Sequence, residues 1–201
     1  MAGVIGTKKR DKIAYWTPEQ FAAFILSKQS PRYIALFCLL FWTGCRIGEA
    51  LALTPMDIDL TNRQMSITKT YTRLHKKGVI QKPKTPASIR RVALPSFLCT
   101  ILADWIKRAG IEPNARLFEE LELTSIEQTF HKHAEKIGLP RIRVHDLRHS
   151  HASLLATLGV SPVVIKERLG HENISTTIDT YSHLFPSAQK EAVSLLERPR
   201  D

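Results

Sequence analysis

From Tyr33 to Thr43 the chain reads Tyr-Ile-Ala-Leu-Phe-Cys-Leu-Leu-Phe-Trp-Thr, a helix-length segment that is apolar on nearly every side. A helix without a polar face is stable only when other elements enclose it, so this segment predicts a central helix with the fold built around it. Ser30-Pro31 supplies its start and Gly44 its stop. The run is about half of the roughly 20 residues needed to cross a bilayer, so it does not read as a membrane span.

Other helices announce themselves by their ends. Thr17-Pro18-Glu19-Gln20 combines an N-cap, a first-turn proline and a capping-box glutamine, with Phe21, Phe24, Ile25 and Leu26 as the buried face. Further helices are expected at about 46–53, 96–108 (closed by Gly110), 125–137 (closed by Gly138), 145–157, 162–169, 174–183 and 187–196. Between them the period changes. Met65-Ser66-Ile67-Thr68, Tyr71-Thr72, Val79-Ile80 and Arg91-Val92-Ala93-Leu94 are β-prone, and Lys77-Gly78 reads as a turn. The expected fold is a single, mainly helical α+β domain of residues 15–185. A small three-stranded antiparallel sheet is inserted near 64–95, and a tail helix occupies 186–201.

The 201 residues carry 29 Lys and Arg against 19 Asp and Glu, a net charge of +10. The excess is lopsided: residues 1–100 hold 16 basic and 5 acidic side chains, residues 101–201 hold 13 and 14. From Lys69 to Arg91 there are eight basic residues (Lys69, Arg73, Lys76, Lys77, Lys82, Lys84, Arg90, Arg91) and no acid. Such a face points to a polyanion, most often nucleic acid. Three cysteines without a CxxC pair fit a reducing cytosol, and exclude a disulfide framework and a zinc knuckle. The basic N-terminus has no apolar stretch behind it and does not read as a signal peptide.

The densest polar stretch is Val144-His145-Asp146-Leu147-Arg148-His149-Ser150-His151. His145 and Arg148 are i, i+3 neighbours at a helix start, a pair suited to gripping a phosphate; a solvated first turn with a structural histidine would read the same way. His145 and His149 lack the intervening glutamate of a zinc helix, and no third ligand is evident, so no metal is expected. Gly170-His171 sets an imidazole on a loop after a helix. Tyr181 stands among polar residues, where most tyrosines are amphipathic surface groups. Arg46 follows the helix-ending Gly44, and Glu49, three residues on, can orient its guanidinium or form a surface ion pair of little worth.

Taken in order, Arg46-Ile47-x-Glu49, Lys84-Thr85 with Ser88-x-Arg90-Arg91, His145-x-Leu147-Arg148-His149, Leu169-Gly170-His171 and Tyr181 resemble the catalytic domain of the tyrosine recombinases, the phage integrase family. The resemblance runs from about Thr17 to Phe185, and its wording is nearest the integrases of Gram-positive phages and conjugative transposons. It implies that Tyr181 attacks a scissile DNA phosphate and forms a 3′-phosphotyrosyl bond, with strand exchange to follow. Arg46 and Arg148 would clamp the non-bridging oxygens, and Lys84 (or, as the other candidate, Lys82) would protonate the departing 5′-oxygen. His145 and His171 would bond the phosphate, with His145 a candidate general base. Lys69, Arg73, Lys82, Arg90 and Arg91 would contact the duplex backbone. No cofactor or metal is implied. The implied partners are double-stranded DNA, further copies of the chain in a tetramer on two duplexes (with the tail as a possible contact), and accessory excision or DNA-bending proteins. The implied setting is the bacterial cytoplasm. Residues 1–14 leave no room for the family's N-terminal DNA-binding domain and are expected to be the remnant of a linker. A type IB topoisomerase-like nicking enzyme and a non-catalytic DNA-binding module are the alternatives; the module gives Arg46, Lys84 and Tyr181 no joint purpose.

Overall fold

A computed structural model of the chain describes residues 14–27, 29–74, 77–83, 85–185, 193 and 196–197. The central helix is present as expected: α2 (Pro31–Thr43) buries nine of its residues and ends on Gly44 in the left-handed conformation. Around it pack α1 (Pro18–Ile25), α3 (Ile47–Ala52), α4 (Ser96–Ala109) and α6 (Asp146–Thr157). The Thr17 capping box closes α1 through both of its reciprocal bonds. Aromatic rings fill the space between helices. Phe21 stacks on Phe41 with centroids 4.0 Å apart, and Trp16 stacks on Phe130 of α5 (Leu123–Lys136) at 4.9 Å. The backbone N–H of Trp16 also donates to Ser150 Oγ at 3.0 Å, tying the start of the described chain to α6. Among the described residues no helix is long and apolar enough to cross a membrane.

The β region holds more than the single sheet expected. Strands β1 (Ile58–Asp59), β2 (Gln64–Ile67) and β5 (Arg90–Ala93) form one antiparallel sheet in the order β1-β2-β5. Strands β3 (Thr70–Leu74) and β4 (Lys77–Gln81) form a separate hairpin, in register from Thr70 opposite Gln81 to Leu74 opposite Lys77. Lys77-Gly78 is therefore strand, not turn. Gly78 lies under the ring of Tyr71, where a Cβ would collide with the phenol. Hairpin and helix meet at Gly48 of α3, where a Cβ would come within 2.7 Å of the Tyr71 carbonyl oxygen. The expected tail helix and the N-terminal arm lie largely outside the described residues, as does Lys76.

The last α-helices, α7 (Pro162–Leu169) and α8 (Ile174–Tyr181), form with α6 a smaller core of Ala152, Ala156, Ile165, Leu169 and Tyr181. A buried polar link joins this unit to the central helix. Arg168 Nε donates to His151 Nε2 at 2.9 Å, and its terminal nitrogen donates to the Trp42 carbonyl at 3.1 Å. Accepting that bond requires an unprotonated Nε2, and burial followed by the Arg168 charge pushes the His151 imidazole down to about 3.

Because His151 is buried as a neutral ring, the unfolded chain binds its proton first as pH falls. Its contribution to stability is whole above pH 6.5 and is lost as pH falls towards 3. Between pH 7 and pH 5 this amounts to about 2 kcal/mol. Urea unfolding at the two pH values should show that loss in the wild type, and a pH dependence smaller by about that amount in His151→Gln.

Candidate active site

Helix α7 ends on Gly170, whose φ of +66° belongs to the left-handed region, and a Cβ there would sit 2.9 Å from the Ala87 carbonyl oxygen. This turn exposes three consecutive carbonyl groups at the negative end of a helix dipole. Each takes a guanidinium donor from a different element. Arg90 Nε of β5 donates to Arg168 O at 2.7 Å, Arg148 Nη2 of α6 to Leu169 O at 2.7 Å, and Arg46 Nη2 to Gly170 O at 3.4 Å. Arg148 also donates to Gly44 O at 2.7 Å, so both of its anchors are backbone groups at helix ends.

Glu49 holds the other side of the cluster. It accepts from the Arg46 backbone N–H at 2.8 Å and side chain at 2.9 Å, and from Arg90 at 2.9 and 3.2 Å. Burial alone would raise this carboxyl, but the hydrogen bonds and charge of Arg90, then those of Arg46, carry it below the usual range. Glu49 is a carboxylate bonded within a cluster of four guanidinium groups: Arg46, Arg90, Arg148 and Arg168. Burial and then the Arg46 charge push Arg148 down to about 9, which still leaves it cationic at neutral pH. A buried excess of positive charge is costly without an anion, so the cluster has the electrostatics of an anion site.

The histidines and Tyr181 surround this cluster. His171 follows Gly170 directly, and its Nδ1 pairs with Thr177 Oγ1 of α8 at 3.0 Å. Burial, then Arg148 and Arg46, push His171 down to about 4, and His145 is lowered by burial and Arg148. Both rings are therefore neutral hydrogen-bonding groups at pH 7. Tyr181, at the end of α8, is 2% exposed. Burial raises its phenol well above the ordinary value, and Arg148 opposes that shift. Its hydroxyl meets His149 Nδ1 at 2.6 Å. Cys45, buried next to Arg46, is raised to about 11 by burial and then Glu49, and stays a thiol.

Of the residues expected from the sequence, Arg46, Glu49, His145, Arg148, His171 and Tyr181 come together here. Lys84 lies outside the described residues. The basic residues divide. Lys82 and Arg91 are exposed, while Lys69 pairs with Asp57 at 2.8 Å and Arg73 pairs with Glu122. Arg90 is corrected: expected on the duplex, it is turned inward with a side chain 6% exposed, and locks Glu49 to the end of α7. Strand alternation carried that signal, since Arg90 shares a face with the buried Val92 while Arg91 faces out. Sequence reasoning also missed the contact of His149 with Tyr181, and the clamp of Asp146 on the Arg143 side chain and backbone that fixes the start of α6. Among the described residues no three His, Cys, Asp or Glu side chains are grouped as a metal ion would need.

Comparison with known proteins identifies the family. The ICEBs1 integrase of Bacillus subtilis (strain 168) is 36% identical over 203 residues, covering 94% of this chain and 55% of that protein. The integrase of Staphylococcus phage L54a is 31% identical over 173 residues, covering 78% of this chain and 49% of that protein. The chain thus spans about half the length of these relatives. Among solved structures, the Tn1549 transposon integrase in complex with circular intermediate DNA has a TM-score of 0.80 at 24% identity, covering 94% of this chain and 69% of that one. The catalytic domain of bacteriophage HP1 integrase has a TM-score of 0.66 at 24% identity, covering 94% and 99%. The sequence model of the Phage integrase family matches residues 17–188, across the arginine cluster, His171 and Tyr181. The chain belongs to the phage integrase family, the tyrosine recombinases.

Proposed function

We propose that this chain is the catalytic part of a site-specific DNA recombinase that cuts and rejoins DNA through a phosphotyrosyl bond. The observation that carries the reading is the arginine cluster with Tyr181 beside it. Arg46 and Arg148 are anchored by backbone carbonyls on one side, so their remaining donors can face the two non-bridging oxygens of a phosphodiester. Rigid donors aimed at charge that develops in the transition state usually give the largest share of catalysis. Tyr181 would attack phosphorus, and the departing 5′-oxygen would take its proton from Lys84. His171 and His145, neutral at pH 7, would donate hydrogen bonds to the phosphate without adding charge. The bond energy is kept in the tyrosyl ester, so neither a nucleotide nor a metal ion is required.

Exposed Lys82 and Arg91, with Lys69 and Arg73, would hold the duplex backbone over this cluster. DNA complexes of structural neighbours support DNA as the partner. Strand exchange needs two duplexes and four copies of the chain, with the region after Phe185 a candidate contact between copies. Proteins that bend DNA or favour excision would set direction. The reaction would take place in the bacterial cell that carries the mobile element.

Incubating the protein with supercoiled plasmid in EDTA, followed by an SDS quench, tests the reading without knowledge of the target site. Wild type should give protein-linked and relaxed DNA, and Tyr181→Phe neither; equal adduct from both would refute the assignment. Arg148→Lys should slow adduct formation by roughly 10²–10³-fold, because an ammonium in this buried position loses both the fork and part of its charge. The two neighbouring arginines should separate. Arg91→Ala should leave stability unchanged and lower the salt slope of duplex binding by about 0.9. Arg90→Ala, by contrast, should cost about 3–5 kcal/mol in urea unfolding, since it leaves Glu49 with a broken buried pair.

A further inference from the structure

The mechanism above leaves the Tyr181 proton without a destination. His145, the histidine singled out in the sequence for that task, stands at the N-cap of α6. One turn further along the same face is His149, whose Nδ1 lies 2.6 Å from the Tyr181 hydroxyl oxygen. The two rings have centroids 6.0 Å apart and planes inclined at 48°, so they meet through the nitrogen and the hydroxyl rather than by stacking. Burial keeps the phenol protonated, and in the tautomer with the ring proton on Nε2 the hydroxyl donates and Nδ1 accepts.

His149 has the surroundings of a base that rests neutral. Burial first, then His145, Arg148 and Arg143 lower its proton affinity, while Asp146 raises it. His171, between α7 and α8, is near enough for the charge of His149 to lower it further. His145 stands edge-on to His149 with centroids 5.6 Å apart. Two imidazoles one helical turn apart can therefore divide the work, with His145 outermost for the phosphate and His149 on the nucleophile.

We propose that His149 is a catalytic residue that takes the phenolic proton of Tyr181 during attack. The assignment rests on the strand-cleavage reading of the site. As Oη bonds to phosphorus, its O–H bond breaks and the proton moves to His149 Nδ1. The P–O5′ bond breaks, and the departing oxygen takes a different proton, from Lys84. In rejoining, the incoming 5′-hydroxyl gives its proton to Lys84, and His149 returns its own to the leaving tyrosyl oxygen. No oxidant, metal or further reactant enters.

The test measures the rate of covalent adduct formation on supercoiled plasmid in EDTA for wild type, Tyr181→Phe, His149→Ala and His149→Asn. Asparagine can offer an acceptor oxygen near the Nδ1 position but cannot take a proton. Both His149 variants should be slower by about 10²–10⁴-fold, as expected for loss of a proton acceptor. Added imidazole should restore part of the His149→Ala rate and none of the Tyr181→Phe rate, a rescue that a merely structural role would not give. Circular dichroism melting should show His149→Asn folded. Wild-type rates in His149→Asn would reduce His149 to holding the hydroxyl and overturn the proposal. Wild-type or faster rates in His149→Ala would make the contact a bystander or a restraint, and overturn it equally. Absence of any Tyr181-dependent adduct from wild type would instead bring down the cleavage reading itself, and the His149 role with it.

Discussion

Three backbone carbonyls at the end of α7 hold the site together. Arg168, Leu169 and Gly170 each accept one N–H, from Arg90, Arg148 and Arg46 respectively. These donors come from β5, α6 and the loop before α3, parts of the chain 78, 21 and 124 residues away from their acceptors. The carbonyls at a helix C-terminus have no partner within the helix and sit at the negative end of its dipole, so they need donors and prefer cationic ones. The turn at Gly170 presents all three to one side. The spacing of the arginines is thereby set by a rigid element rather than by long, mobile side chains.

The cluster also has consequences for every titratable group around it. With Glu49 as its bonded carboxylate, the field is positive, and it adds to burial in keeping His145, His149 and His171 neutral at physiological pH. It opposes burial at Tyr181, where Arg148 favours the phenolate. An incoming phosphate would neutralise part of this charge. The same groups are then most basic, and Tyr181 least acidic, when substrate is bound, which is when a proton acceptor against the phenol is most needed.

Much of this was legible in the chain, and what was not has a common cause. The apolar face of α2, the capping box at Thr17 and the glycine stops at Gly44 and Gly170 follow from side-chain chemistry that acts locally, and they appear where the sequence puts them. The order of Arg46, Arg148, His171 and Tyr181 was readable as a motif. The anchoring of those residues was not, because the acceptors are backbone carbonyls that no residue type marks. Arg90 departs from its expected place on the duplex because strand parity, not net charge, sets the face of a strand residue. The β region divides into two sheets where one is expected because short strands reveal their period but not their partners, and Gly78 is a strand glycine required by Tyr71. The contact of His149 with Tyr181 joins residues 32 apart through the packing of α8 on α6, which periodicity cannot supply.

On the proposed reading, the carbonyl-anchored arginines form a phosphoryl site within reach of Tyr181. Orthovanadate, which adopts the five-coordinate geometry of a phosphoryl group under attack, tests it most directly in a crystal structure of the wild-type chain. Vanadate should lie on the guanidinium groups of Arg46 and Arg148, with the Tyr181 oxygen as an apical ligand. Vanadate bound only on the exposed face of Lys82 and Arg91, with the arginine cluster empty and Tyr181 unmoved, would contradict it.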